Sequence, residues 1–183
     1  MDDKNLDGEL TESAREFLFG LEMFSRIPDL QPRIGSDITP AADFLSICTE
    51  YQFDRGAVLA HKLDVAEGMY IFRSGTVDAW DSSFANEEME QEFQWIREFT
   101  TDDILGDGWL IVERSHPYLL RARKKGSFIL IKRNDFIKFV GKHQKVMRLM
   151  YPHMSDYAKD KINQSKLRRY LLRPNSRLSL IHI

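Results

Sequence analysis

Between Tyr51 and Lys132 the sequence alternates apolar and polar residues with a period of two, and towards both ends of the chain the period lengthens to that of a helix. β-Branched and aromatic residues fill the alternating runs, and Gly or Asp separates one run from the next. Together these observations predict an α+β domain, an antiparallel sheet flanked by helices from the chain's two ends. At 183 residues the chain has the size of one domain with extensions, enough to bury a real core.

Thr11 reads as a helix cap with Glu12 behind it, and Phe17, Leu18 and Leu21 follow at helical spacing, so a first helix ends near Gly20. Turn formers crowd residues 31–40, QPRIGSDITP. Thr39 and Pro40 then open a second helix, AADFLSICTEY, which puts Cys48 on an amphipathic face. Strands are expected near 51–54, 57–61, 69–73 and 76–81. Residues 81–93, DSSFANEEMEQEF, are polar and acidic and read as an exposed hairpin or loop. Strands resume at 94–99, 118–122 and 128–132. Asn134 or Asp135 caps a helix through DFIKFVGKHQ, and residues 142–165 are helical again. Phe136, Val140, His143, Met147, Met150, Met154 and Tyr157 form one apolar stripe at steps of three and four, interrupted at Pro152, on which His143 is expected to pack rather than to ligate.

Composition excludes several functions. Lys plus Arg number 26 against 28 Asp plus Glu, and a net charge of -2 gives no overall field to attract nucleic acid. The acidic start (Asp2, Asp3, Asp7, Glu9, Glu12, Glu16) and basic last quarter (Lys159, Lys161, Lys166, Arg168, Arg169, Arg173, Arg177) read as solvated helix faces ahead of a membrane-facing or acid-binding surface. Cys48 is the single cysteine and rules out an internal disulfide, and no charged start precedes an apolar run. No apolar stretch approaches the ~20 residues of a bilayer span. A cytoplasmic setting is expected, either free or as the soluble part of a membrane-associated protein. Neither an enzyme nor a metal site is expected. His61, His116, His143, His153 and His182 form no H-x-H or H-x-x-E-H group, Cys48 has no adjacent His, and G-x-x-x-x-G-K-[ST] is absent.

Phe53-Asp-Arg-Gly56 and, fourteen residues after that Gly, Tyr70 opening Y-I-F-R-S-G-T-V reproduce a motif pair without a gap. This stretch resembles the first half of a cyclic nucleotide-binding domain, and LEMFSRIPDLQ resembles the segment that introduces that fold. The resemblance runs from Phe17 to Tyr157. It implies an antiparallel eight-stranded β-roll (jelly roll) with N-terminal helices and a C-terminal helical hinge, the Met-rich stripe covering the roll's open end. The domains are then a lead-in at 1–38, the roll with its C-terminal helices at 39–165, and a basic tail at 166–183.

In such domains a cassette resembling F-G-E-L-A followed by P-R-x-A-T-V-x-A holds the sugar-phosphate: backbone N–H groups and an Arg meet the phosphate, and the Glu accepts the ribose hydroxyl. Here the matching stretch is LGDGWLIVERSHPYLLRA, residues 105–122. Gly106 stands at the Gly, Asp107 at the Glu but one methylene shorter, His116 at the Arg, Leu119 where Thr or Ser often stands, and Ala122 closes the pattern. The resemblance makes Gly106, Asp107, Gly108, Trp109, His116, Pro117 and Tyr118 the ligand-binding candidates, with Arg114 and Arg121 as secondary phosphate candidates. Arg121 alternates with Leu120 and Ala122, so only one face of that strand serves the pocket. A His supplies one donor and part of a charge where an Arg makes two charge-assisted bonds, a loss of ~1.5–3 kcal/mol, or tenfold to a hundredfold in affinity. Leu63 replaces a Gly of the family, so its turn is expected to avoid positive φ.

The implied function is a regulatory, ligand-sensing module whose ligand shifts the C-terminal helix and thereby an attached effector. Cyclic nucleotide is a weakened ligand, and another small ligand, or a pocket kept for packing, stays open; no cofactor is expected. The competing reading is a non-sensing docking or dimerisation module. A transcription factor would need a helix-turn-helix for which the sequence has no room. LSLIHI, residues 178–183, matches the translation of a sequencing-library adapter, which predicts that the natural chain continues past about Arg177 into that effector. Few long-range contacts are expected beyond about residue 166, and none that hold the chain from Pro174 on.

Overall fold

The alternating runs on either side of Ser74-Gly75 join into a single strand, and so do those on either side of Gly126. The computed structural model describes residues 10–30, 40–85 and 90–171, and of residues 82–92 the backbone only. The strands are β1 (Cys48–Phe53), β2 (Val58–Ala60), β3 (Gly68–Ala85), β4 (Glu90–Phe99), β5 (Ile104–Leu105) and β6 (Leu119–Lys132). Every pair is antiparallel, in the order β1-β6-β3-β4, with β2 also on β6 and β5 also on β3. Six strands stand among the described residues where an eight-stranded roll was expected: of the seven runs read from the sequence, those at 69–73 and 76–81 fuse into β3 and those at 118–122 and 128–132 into β6, and the short β5 is added. The acidic stretch at 81–93 extends β3 and opens β4 as a hairpin, with its tip at 86–89 outside the described residues.

β3 pairs with β6 along two stretches joined by a bend. Gly68–Phe72 pair with Phe128–Lys132, Thr76–Trp80 pair with Leu119–Lys124, and the register shifts between Phe72 and Val77. The bend needs glycine. Gly75 has φ +83, with Lys125 O at 2.7 Å from any Cβ placed there, and Ser74 O leaves Gly126 no room for a Cβ at all. Ser74 Oγ accepts from Ser127 N at 3.1 Å and lies 3.3 Å from Ser127 Oγ, which ties the bend across the strands.

Below the bend both faces of the sheet are buried. Met69, Ile71, Ile129 and Ile131 face the helices, while Tyr70, Phe72, Phe128 and Leu130 face the interior of the roll. Two-sided burial is why Phe128–Ile131 is a continuous apolar run. Above the bend the apolar side chains Val77, Ala79, Leu120 and Ala122 point inward, while on the other face Thr76 and Asp78 are buried and Arg121 and Arg123 exposed.

The helices are α1 (Glu12–Gly20), α2 (Glu22–Ser25), α3 (Pro40–Leu45), α4 (Arg133–Lys142), α5 (Gln144–Met150), α6 (Asp156–Gln164) and α7 (Arg168–Leu171). Thr11 caps α1 as expected, accepting from Ala14 N at 3.2 Å. α3 stops six residues earlier than the expected helix and Cys48 opens β1 opposite Ile131, because pairing with β6 claims the Thr-, Tyr- and Phe-containing run CTEYQF. Neither Asn134 nor Asp135 caps α4. β6 runs directly into it through Lys132, and Arg133 N donates instead to Glu67 O at 3.0 Å. Tyr151–His153 form a 3-10 turn where Pro152 interrupts the stripe, and Ser155 then caps α6, accepting from Ala158 N at 3.1 Å.

α4 and α5 lie on the N-terminal helices. Phe44 touches Phe24 and Phe139 with ring centroids 5.0 and 5.4 Å apart. Lys142 Nζ and His143 Nε2 both lie 2.6 Å from Asp43 Oδ2, and these hydrogen bonds, that of Lys142 first, hold the Asp43 carboxyl below the usual carboxylate range. His143 thus packs against Phe139 and hydrogen-bonds to Asp43. Contrary to the expectation of few contacts beyond 166, Leu167 and Tyr170 are buried in the same core, and Arg148 Nη1 donates to Tyr170 O at 3.2 Å. Two well-placed apolar residues suffice to seat α7 even in a basic, weakly amphipathic segment. The acidic residues 2–9, the turn-rich 31–39 and the tail 172–183 with its LSLIHI end lie outside the described residues. Among the described residues no helix is long and apolar enough to cross a membrane.

Leu63 adopts φ 74, the region its turn was expected to avoid. Its surroundings over-determine the backbone: His61 N donates to Asp64 Oδ2 at 2.9 Å, Leu63 N to His116 O at 2.9 Å, and His116 N to Asp64 O at 2.8 Å. Since the side chain is 73 % exposed, it loses little packing on truncation. Leu63→Gly removes ~1–2 kcal/mol of strain and adds ~0.4–1 kcal/mol of unfolded-state entropy, so a net gain of about 0.5–1 kcal/mol is expected in urea denaturation. A lower midpoint would show that positive φ carries no strain here.

Candidate functional site

β5 pairs with Tyr70 and Ile71 and so delivers the following turn to the mouth of the roll interior. Gly106, at φ 85, starts a 3-10 turn over Asp107–Leu110, and Trp109 folds back so closely that Gly106 has no room for a Cβ. Trp109 N donates to Gly106 O at 2.9 Å and Gly108 N to Asp107 Oδ1 at 2.8 Å, so both amides are satisfied within the turn.

Trp109 and His116 fill the space beneath it. Trp109 is buried, edge-on to Tyr70 at 6.3 Å and to His116 at 4.9 Å between centroids. His116 is 2 % exposed, its Nε2 lies 3.2 Å from the Tyr70 hydroxyl, and its Nδ1 has no hydrogen-bond partner among the described residues. Burial pushes the His116 pKa down against the opposing pull of Asp64 and Glu67, and burial pushes the Tyr70 hydroxyl up to about 12.

Asp107 is committed to the C-terminal helices. Its Oδ2 accepts from Ser155 N at 2.6 Å and its Oδ1 from Ser155 Oγ at 2.9 Å. Two residues on, the Tyr157 ring lies against Gly108 and leaves no room for a Cβ there. The Arg114 guanidinium sits over that ring, 5.3 Å from its centroid. One clasp therefore joins the cassette turn, the Arg114 segment and the first turn of α6.

Of the residues singled out by the cassette pattern, the structure gathers Gly106, Asp107, Gly108, Trp109 and His116 around Tyr70, with Arg114 on the clasp. Pro117 is exposed and Tyr118 half-buried against the roll interior. Arg121 stands apart, exposed on the outer face of β6, where its Nε donates to Gly56 O at 3.4 Å. Tyr70, Ser155 and Tyr157 were missed as site members. Ser155 reads locally only as a helix cap, and its bond to Asp107 spans 48 residues. Among the described residues no group of three or more His, Cys, Asp and Glu could hold a metal ion, and burial pushes the Cys48 thiol well up, away from thiolate chemistry.

Because the folded state depresses the His116 pKa, the unfolded chain binds its proton first as pH falls. Stability from this group is expected to be fully present above pH ~6.5 and to decline as pH drops below that value towards the folded pKa. Following the His116 ring protons by NMR against pH checks the sign, and a titration midpoint above that of a free imidazole would reverse it.

The family model described as cyclic nucleotide-binding domain matches residues 50–143, which is 94 of the 183 residues. Among solved structures, the N-terminal domain of a transcriptional regulator from Streptomyces coelicolor A3(2) superimposes with a TM-score of 0.59 at 12 % identity, over 87 % of this chain and 98 % of that one. A cyclic nucleotide-binding-like protein from Brucella abortus gives 0.53 at 18 % identity, over 71 % and 99 %. The regulatory domain of Toxoplasma gondii PKA, co-crystallised with cAMP, gives 0.54 at 16 % identity, over 76 % of this chain and 49 % of that one. No curated protein sequence matches the chain. At these identities the solved structures share the fold, and the family match lies across the bent sheet and the cassette: the chain belongs to the cyclic nucleotide-binding domain family.

Proposed function

We propose that this chain is a regulatory, non-catalytic sensing module with a weakened cyclic nucleotide site, whose C-terminal helices pass its state to an attached effector. One observation carries the reading: the Asp107 carboxylate, at the position of the family's ribose acceptor, holds the Ser155 N–H at 2.6 Å and the Ser155 hydroxyl at 2.9 Å. A sugar hydroxyl reaching Asp107 competes with the start of α6. Ligand entry and docking of α6 are then alternatives, which is the differential contact a ligand needs to shift a two-state element. The weakness follows from His116, a neutral, buried imidazole where the family has a guanidinium. Gly106, Gly108, Trp109, Pro117 and Tyr118 complete the proposed site, with Arg114 as the cation already on the clasp.

A non-sensing docking or dimerisation module is favoured by a different observation, the mutual packing of Tyr70, Trp109 and His116 in the roll interior. Calorimetry with cAMP and cGMP separates the two. Under the sensing reading both bind more weakly than about 10 μM, and Ser155→Ala, which removes the hydroxyl bond to Asp107 and leaves the backbone one, strengthens binding while accelerating amide exchange in α6. Submicromolar binding by the unaltered chain would overturn the weakened site. Absence of binding in both proteins would favour the docking module.

A further inference from the structure

We infer that the outer face of the sheet carries a second site, for a small organic anion with a flat apolar body. A cleft of about 470 Å³ opens there, lined by Arg55, Trp80, Phe93, Leu119 and Arg121 among others. Strand alternation separates it from the cassette. On β6, Leu120 is buried in the roll interior while Leu119, Arg121 and Arg123 line the cleft, and on β3, Val77 and Ala79 are buried there while Asp78 and Trp80 line it. Apart from Ala122, which is buried yet reaches the cleft, its β3 and β6 lining comes from the face opposite the Tyr70, Trp109 and His116 cluster.

Among the described residues, two of the cleft's three arginines lack a carboxylate partner. Arg123 is engaged, 3.7 Å from Asp78 and paired with Glu98, and Asp78 also accepts from Trp95 Nε1 at 3.2 Å. Arg55 and Arg121 have no carboxylate partner among the described residues; the one bond of Arg121 is its 3.4 Å contact with Gly56 O. Two guanidiniums with no carboxylate partner among the described residues thus flank a concave apolar wall on which Phe93 stays 48 % exposed, and the neighbouring Trp95 50 %. Gly56 leaves the mouth open, with nothing within 4 Å of a Cβ at that position.

The volume falls within the range of small-molecule sites, which are mostly apolar with a few placed polar groups. Inorganic phosphate would satisfy the arginines and leave the aromatic wall wet. A neutral apolar molecule would cover the wall and leave the cations desolvated without a partner. A carboxylate or sulfonate on an aromatic body meets both demands, with the fork geometry of Arg suited to its two oxygens.

Naphthalene-2-carboxylate and its neutral amide are the probes, titrated into the full chain while the indole N–H signals of Trp80 and Trp109 are followed by ¹H–¹⁵N NMR. The carboxylate is expected to shift Trp80, to leave Trp109 unmoved, and to bind at least ~10-fold more tightly than the amide, the size of one charge-assisted hydrogen bond. Arg55→Ala combined with Arg121→Ala, both at exposed positions, should abolish that difference and keep the remaining spectrum. Equal affinity for acid and amide, shifts centred on Trp109, or unchanged binding by the folded double variant would each overturn the inference.

Discussion

The bend in the β3–β6 pairing is the constraint on which the rest of the molecule depends. Gly75 and Gly126 let the two backbones approach at a distance no side chain would tolerate, and the Ser74 hydroxyl bonds across the bend. Because the sheet turns there, its two halves are solvated differently. Below the bend, Met69, Ile71, Ile129 and Ile131 are covered by helices, each burial contributing about 1.5–3 kcal/mol against a net stability of about 5–15 kcal/mol for a domain. Above the bend the apolar burial is on the inner face, and the other face carries polar and charged residues, of which Thr76 and Asp78 are themselves buried.

The C-terminal helices are held by two kinds of force. α4 and α5 bury Phe136, Phe139, Val140, Val146, Met147 and Met150 against the sheet and the N-terminal helices, and the surface pairs to Asp43 and Asp29 add little to that. α6 buries only Ala158 and Ile162. Its attachment leans on the Asp107–Ser155 bonds and the Tyr157 contact with Gly108. Polar bonds to a partly solvated carboxylate exchange with water or ligand far more readily than a buried aromatic leaves its core. Within this fold α6 is therefore the element whose position the cassette is best placed to set.

Much of this was legible in the sequence because it is local. The Thr11 cap, the Gly56-to-Tyr70 spacing and the period-two runs each depend on residues close in the chain, and each is found in the structure. Cys48 was misplaced because local pattern favours a longer helix, whereas the paired strand β6, some 80 residues away, claims it. Leu63 takes a glycine's conformation because bonds to the distant His116 segment impose it. β5 is two residues long and leaves no periodicity to read. The Asp107 clasp depends on a helix cap 48 residues downstream, a pairing that residue spacing alone does not encode.

His116 links these threads. An arginine at that position would carry an obligate charge into the roll and would need an anion or a carboxylate beside it. Imidazole at the same place sheds its charge, and burial enforces the neutral form. Tyr70 and Trp109 can then close over it, and Asp107 turns to the N-terminus of α6, where the helix dipole and two donors stabilise its negative charge. The uncharged His116 and the Asp107–Ser155 bonds are in this view two parts of one arrangement: without a cation at His116 the interior closes, and the carboxylate is the joint between the Asp107 turn and α6.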